Sequence, residues 1–331
     1  MEEQSYTQFI GPHLKTMQQL TQNKECLVTG CTQTPIGSHV IAESILDRFD
    51  EQGMVFAWEP LNGKIARNAF LGHDQLEIYQ QPRLVGIRRD VTYPLFCGDH
   101  DAKPFTELEQ RGFSSQEEKQ QRQAVLQAYR TLCYKTWNAR WDEKENYLLS
   151  SKEAEAALLY KRLFARQTLV EARNRLETII FQTKDYQQIV SKVFTLDIEP
   201  CIACTDAFIP IIDEDDMIHT AHGATSPQAE NMVIFSFFPD LQRERNFCVL
   251  SWFRNNQKVA KFIDDYRLDA LSQDERLHML FEAATHRPLM YVSPVWWNRQ
   301  STEMQARFSA AQVADALEAQ TVLAQLQEKL K

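Results

Sequence analysis

The chain has 331 residues, 44% of them apolar and 24% charged, the balance of a soluble globular protein with room for two or three domains. Its net charge of −9, from 45 acidic against 36 basic residues, excludes a surface coated in positive field for long nucleic acid but leaves room for a local basic groove. No run approaches the roughly 18–20 apolar residues of a membrane-spanning helix. The opening MEEQSYTQFIGPH is too polar for a secretory signal, so a cytoplasmic protein with no membrane partner is expected.

Residues 1–114 are mixed and turn-rich. Most of the ten glycines fall here, and short apolar runs such as GMVFAW and RLVGI read as strands. Residues 115–195 change texture, with no Gly or Pro between Ser115 and Phe194 and an abundance of Gln, Glu, Ala, Leu, Lys and Arg. Leu126, Tyr129, Leu132, Cys133 and Trp137 recur at three- and four-residue spacing and predict one apolar stripe. Ser150-Ser151 with Glu153 marks a second helix start, followed by a stripe through Ala156, Leu159, Leu163, Ala165 and Leu169. A long helical hairpin follows, with a surface open to a protein partner or to a second copy of the chain.

Residues 196–331 alternate β-rich runs (AFIPII, MVIFSFF, FCVLSWF) with turn signals, then predict helices at 257–267 and 273–284 and a strand at PLMYVSP. The Ala/Gln/Leu-rich tail, with apolar positions from Phe308 to Leu330, is expected to close the chain as a docked helix. The fold class is therefore α+β: an N-terminal zinc domain (1–114), a central helical hairpin (115–195) and a mixed C-terminal domain with antiparallel strands (196–331).

The zinc expectation comes from the cysteines. The chain has seven, an odd number that fits a reducing compartment better than a disulfide framework. Cys133 and Cys248 sit in apolar patterns and read as core thiols. Cys26 and Cys31 flank Leu-Val-Thr-Gly, a reversal that turns two thiolates toward one point. Cys97-Gly98-Asp99-His100 is a Cys-x-x-His step with its own turn glycine. Two short-spaced pairs far apart in sequence are the pattern of a structural tetrahedral zinc site, so Cys26, Cys31, Cys97 and His100 are the expected Zn²⁺ ligands. His39, in Ile36-Gly37-Ser38-His39-Val40-Ile41, has three open roles: a fourth ligand in place of His100, a catalytic base, or a core histidine.

The order Cys-x4-Cys, Ser-His-x-Ile, Phe-Cys-x-x-His-Asp resembles the zinc-bound HNH (ββα-metal, treble-clef-like) endonucleases, closest to a bacterial branch with a Ser-His-x-Ile strand and a Phe-Cys-x-x-His-Asp helix start. The resemblance covers about 90 residues. It implies a β-hairpin pinned to a helix by a zinc knuckle, with His39 as the base that activates water. It further implies Asp101, the residue after the last zinc ligand, as a carboxylate for Mg²⁺ or Mn²⁺ on the scissile phosphate. Phosphodiester cleavage needs just such a proton acceptor and hard cation. It further implies a nuclease or nucleic-acid-binding relative acting on DNA or RNA, suited to bacterial defence against phage. Ser38 stands where the family has an acid or histidine before the base, and its middle asparagine has no counterpart. Residues 42–95 far exceed a minimal hairpin. The alternative is a non-catalytic interaction protein with a purely structural zinc site.

Three further groups complete the candidates. Arg83, Arg88 and Arg89 lie near the proposed metal site and could line a nucleic-acid groove or form an ordinary solvated face. Cys201-Ile-Ala-Cys204, with Asp206, His219 and His222 downstream, offers a second metal or redox pair but fits strand and turn roles better. Trp252, Trp296 and Trp297 read as core rather than as a base-stacking platform.

Overall fold

The computed structural model describes residues 25–58, 82–111, 113, 116–149, 167–212, 218–220, 229–285, 287 and 289–309. The expected helix start at Ser150-Ser151, the stripe from Ala156 to Ala165, His222 and the tail beyond 309 lie outside them. In chain order come β1 (Gly37–His39), α1 (Glu43–Leu46), β2 (Met54–Ala57), β3 (Arg83–Gly86), β4 (Thr92–Pro94), α2 (Gly98–Arg111) and α3 (Glu117–Leu149). A helix over 167–178 (α4) ends in a π-helical turn, Ile179–Thr183. Then follow β5 (Ile189–Leu196), β6 (Ile202–Phe208), β7 (Pro210–Ile212), β8 (Ile218–Thr220), β9 (Val233–Pro239), β10 (Asn246–Phe253), α5 (Gln257–Asp265), α6 (Gln273–Thr285), β11 (Leu289–Val292), α7 (Pro294–Arg299) and a helix over 302–309.

The molecule is α+β, and its main sheet is antiparallel throughout, in the order β3-β2-β11-β6-β9-β10-β5. Side chains alternate across it, as the two-residue period of a strand requires. Ala203, Ile234, Val249, Leu289 and Tyr291 join a core shared with α2, α3 and α4. Their neighbours Ile202, Cys204, Val233, Phe235, Leu250 and Met290 join a second core beneath α5, α6 and α7. With both faces covered, β9 and β10 are buried along their whole length. This is why VIFSFFP and NFCVLSWF read as nearly unbroken apolar runs.

Two features of the sheet were not expected. β2 and β3, from the segment between His39 and Thr92, join it by pairing β2 with β11: Tyr291 opposes Ala57 and Val292 opposes Phe56. The large insertion between the halves of the candidate motif therefore builds one flank of the sheet. At the other flank Ile189–Leu196 is a strand rather than the end of the helical segment, because its β-branched and aromatic residues pair along the full length of β10.

The long helix α3 packs over β5, β6, β9 and β10. From Gln123 to Tyr134 every residue is buried, so the apolar stripe is one side of a helix enclosed all round. Several of its polar side chains bond internally. Gln127 Nε2 donates to the Val40 carbonyl (3.2 Å), Gln123 Nε2 to Glu107 O (3.3 Å), and the Thr131 and Thr205 hydroxyls pair at 2.7 Å. Among the described residues no helix is long and apolar enough to cross a membrane.

Candidate metal centre

The knuckle is a backbone construction. The Cys31 N–H donates to Val28 O at 3.0 Å, and Gly30 takes a φ of +78°, a left-handed conformation that costs a residue with a Cβ. The Cys26 N–H closes the loop on itself at Gln33 O (2.9 Å), and two further bonds tie it to the segment leading to the second pair: Leu27 N–H to Leu95 O (2.8 Å) and Ile36 N–H to Phe96 O (2.7 Å). Cys97 then starts α2, its carbonyl accepting from the Asp101 N–H at 2.8 Å. His100 and Asp101 fall in the first turn, where acids suit the positive end of the helix dipole.

These elements bring Cys26, Cys31, Cys97 and His100 together, with all four ligand atoms within 4.8 Å of one another. The Cys31 and Cys97 sulfurs lie 3.9 Å apart, and His100 Nδ1 is 3.3 Å from Cys97 Sγ and 3.5 Å from Cys26 Sγ. A tetrahedral zinc with Zn–S bonds of about 2.3 Å has edges of about 3.8 Å between sulfurs, so the set fits zinc or another thiophilic metal. It is the one such grouping among the described residues. His39 is outside it.

Burial, reinforced by the Cys31 and Cys97 thiols, pushes the Cys26 thiol up to about 11. Burial acts the same way on Cys97, but the backbone N–H groups of His100 and Asp99 and the neighbouring thiols outweigh it and hold Cys97 below the ordinary thiol value. Three thiolates this close repel one another and need a cation between them.

A second layer supports the knuckle. Glu177 on α4 accepts the Thr29 N–H at 2.9 Å on one oxygen and the Tyr129 hydroxyl at 2.8 Å on the other. The His100 ring stands edge-on to Phe181, which belongs to the π-helical turn. Neither contact could be foreseen, because Glu177 lies 148 residues from Thr29 and no local pattern marks it.

β1 pairs antiparallel with β4, with Ser38 opposite Tyr93, and α2 follows within a few residues, so the local order is strand, strand, helix. His39, half-buried on β1, bonds through Nε2 to the Ile87 carbonyl at 2.7 Å. A carbonyl only accepts, so Nε2 carries the proton and Nδ1 is left as the basic nitrogen. Ser38 is fully buried; its hydroxyl accepts from the Phe96 N–H (3.3 Å) and, lying close to Asp101, favours the charged form of that carboxyl. Burial raises Asp101 above the ordinary carboxylate value, partly offset by the nearby Arg130 guanidinium.

The three arginines divide. Arg88 and Arg89 are exposed on the turn directly after Ile87, and Arg88 Nε donates to Glu43 at 3.0 Å; Arg83 is half-buried on β3. Cys201 and Cys204 are buried in the core beneath α5–α7, where burial pushes both thiols up, and no metal-ligating group joins them among the described residues. Cys133 and Cys248 are buried core thiols. Trp252 and Trp297 are buried, and Trp296 is half-buried against Phe281 and Phe308. Phe308 thereby docks the start of the C-terminal tail on the body.

Comparison with protein-family models, with curated proteins and with solved structures finds no match to this chain.

Proposed function

We propose that the Cys26/Cys31/Cys97/His100 cluster holds a structural Zn²⁺ and that the hairpin and helix it pins form an HNH-like endonuclease site dependent on Mg²⁺ or Mn²⁺. The observation that carries this reading is the setting of His39. A strand of the ββα unit presents it, a main-chain carbonyl fixes its ring and tautomer, and it lies near enough to Asp101 at the helix start to favour that carboxyl's charged form, as the adjacent Ser38 also does. In this role His39 Nδ1 takes a proton from the attacking water and Asp101 supplies a carboxylate for a divalent cation, whose chemistry is charge neutralisation at the scissile phosphate. Arg88 and Arg89 suit backbone phosphates of DNA or RNA, because the turn that presents them also holds the base through Ile87. A site of this kind suits a defence role against phage.

The test is plasmid and RNA cleavage with Mn²⁺ or Mg²⁺, wild type beside His39→Ala. The expected result is a loss of about 10²–10⁴-fold in rate with metal content unchanged. Equal cleavage by both proteins would remove His39 from the mechanism.

The second reading is a non-catalytic interaction protein with the same structural zinc. What favours it is Arg130, whose guanidinium already faces Asp101. Retained zinc with no cleavage under either cation would select it.

A further inference from the structure

Asp101, Phe105 and Glu109 recur at four-residue intervals on α2 and so share one face, and a single residue of α3 meets all three. The Arg130 guanidinium lies 4.1 Å from the centre of the Phe105 ring and donates from Nη2 to Glu109 at 2.5 Å. The same nitrogen stands 3.9 Å from Asp101 Oδ1. The Arg130 side chain is only 1% exposed, yet its Nε and Nη1 have no hydrogen-bond partner, nor does the buried Asp101 Oδ1. A buried arginine normally spends its five donors on acceptors. This one leaves two nitrogens unspent and directs its charge at the two carboxylates of α2. The arrangement is therefore electrostatic rather than a saturated network, and its positive charge stands beside the carboxylate assigned to a divalent cation.

We propose that Arg130 is a positioning residue that holds the Asp101 carboxylate inward and competes with a divalent cation for it, so that α3 sets the cation concentration at which the site loads. This rests on the reading of Asp101 as a cation ligand. A unit charge 3.9 Å from the carboxylate opposes cation capture. Glu109, which is 33% exposed and draws on the same nitrogen, moderates that opposition.

The experiment is a Mn²⁺ titration of the zinc-loaded full chain followed by electron paramagnetic resonance, with zinc content measured on each sample. Arg130→Gln and Arg130→Met are expected to bind Mn²⁺ roughly tenfold more tightly or better. Arg130→Lys, which keeps the charge, should stay near wild type, and Asp101→Asn should bind none. A purely structural role for Arg130 would not tighten Mn²⁺ binding in any variant. Glu109→Gln, which keeps a hydrogen-bond acceptor for Arg130 Nη2 while removing the charge, is expected to weaken Mn²⁺ binding, because it frees the guanidinium for Asp101. Unchanged or weaker Mn²⁺ binding in both neutral Arg130 variants, or unchanged binding in Glu109→Gln, would overturn the proposal while leaving Asp101 as a ligand. Zinc retained with no Mn²⁺ bound by wild type or by any Arg130 variant would overturn both the proposal and the cation role of Asp101.

Discussion

Stripping the metal with a chelator is expected to lower the melting temperature by roughly 5–15 °C, as follows from linkage with free metal well above its Kd. Among the described residues the loop from Cys26 to Cys31 has little regular structure of its own, and its order depends on what converges there. Three thiols and an imidazole lie within 4.8 Å of one another, and without a cation the thiolates repel. Loss of the ion should also loosen the second layer, since Thr29 N–H and the Tyr129 hydroxyl reach the same Glu177 carboxylate. Calorimetry with and without chelator gives the temperature. Amide exchange should then show Leu27, Thr29 and Ile36 opening before the strands of the main sheet. An unchanged melting point would mean that the cluster plays no part in holding the fold.

The second large effect lies away from the metal. Asp206, buried on β6, takes Lys135 of α3 on one oxygen at 2.5 Å and Arg287, from the turn between α6 and β11, on the other at 3.4 Å. Asp206→Ala removes the buried carboxylate that Lys135 and Arg287 share, and a loss of about 3–5 kcal/mol is expected. Urea unfolding at neutral pH measures it. The pH dependence follows from the same contacts. Burial alone would raise Asp206, but Lys135 and Arg287 outweigh it and hold the carboxyl below its ordinary 3.8. The unfolded chain therefore takes up the proton first as pH falls. The contribution is complete above the ordinary value and is lost as pH drops through the lower folded one. Asp206→Ala should flatten the stability profile across that acidic window, and an unchanged profile would show that the ion triad carries no net charge coupling.

What was legible in the sequence follows from range. The metal ligands could be read because each pair is local: a six-residue turn with Gly30 at its corner, and one helix start. The structure unites the two pairs and leaves His39 aside. The helices near 257–267 and 273–284 and the strand within PLMYVSP were equally local, and they appear as α5, α6 and β11. What was not legible depended on residues far apart. The sequence marks one apolar stripe on α3, yet Gln127 and Thr131, which lie outside that stripe, bond to Val40 and Thr205 across 87 and 74 residues. The excess length between His39 and Thr92 made sense only once β2 was seen beside β11. The carbonyl that fixes His39 belongs to Ile87, 48 residues away, and Arg130 is a single charge inside an apolar pattern whose target is a face of another helix. Periodicity reports that a side chain faces something and does not report what it faces.

A single S₃N metal centre is what the fold around Cys26, Cys31, Cys97 and His100 is expected to hold. Metal analysis of the purified full chain, with zinc-edge X-ray absorption on the same sample and Cys97→Ser alongside, tests it most directly. About one zinc per chain is expected, bound by three sulfurs and one nitrogen at about 2.3 and 2.0 Å and lost in Cys97→Ser. No bound metal, or zinc kept at full occupancy by Cys97→Ser, would contradict it.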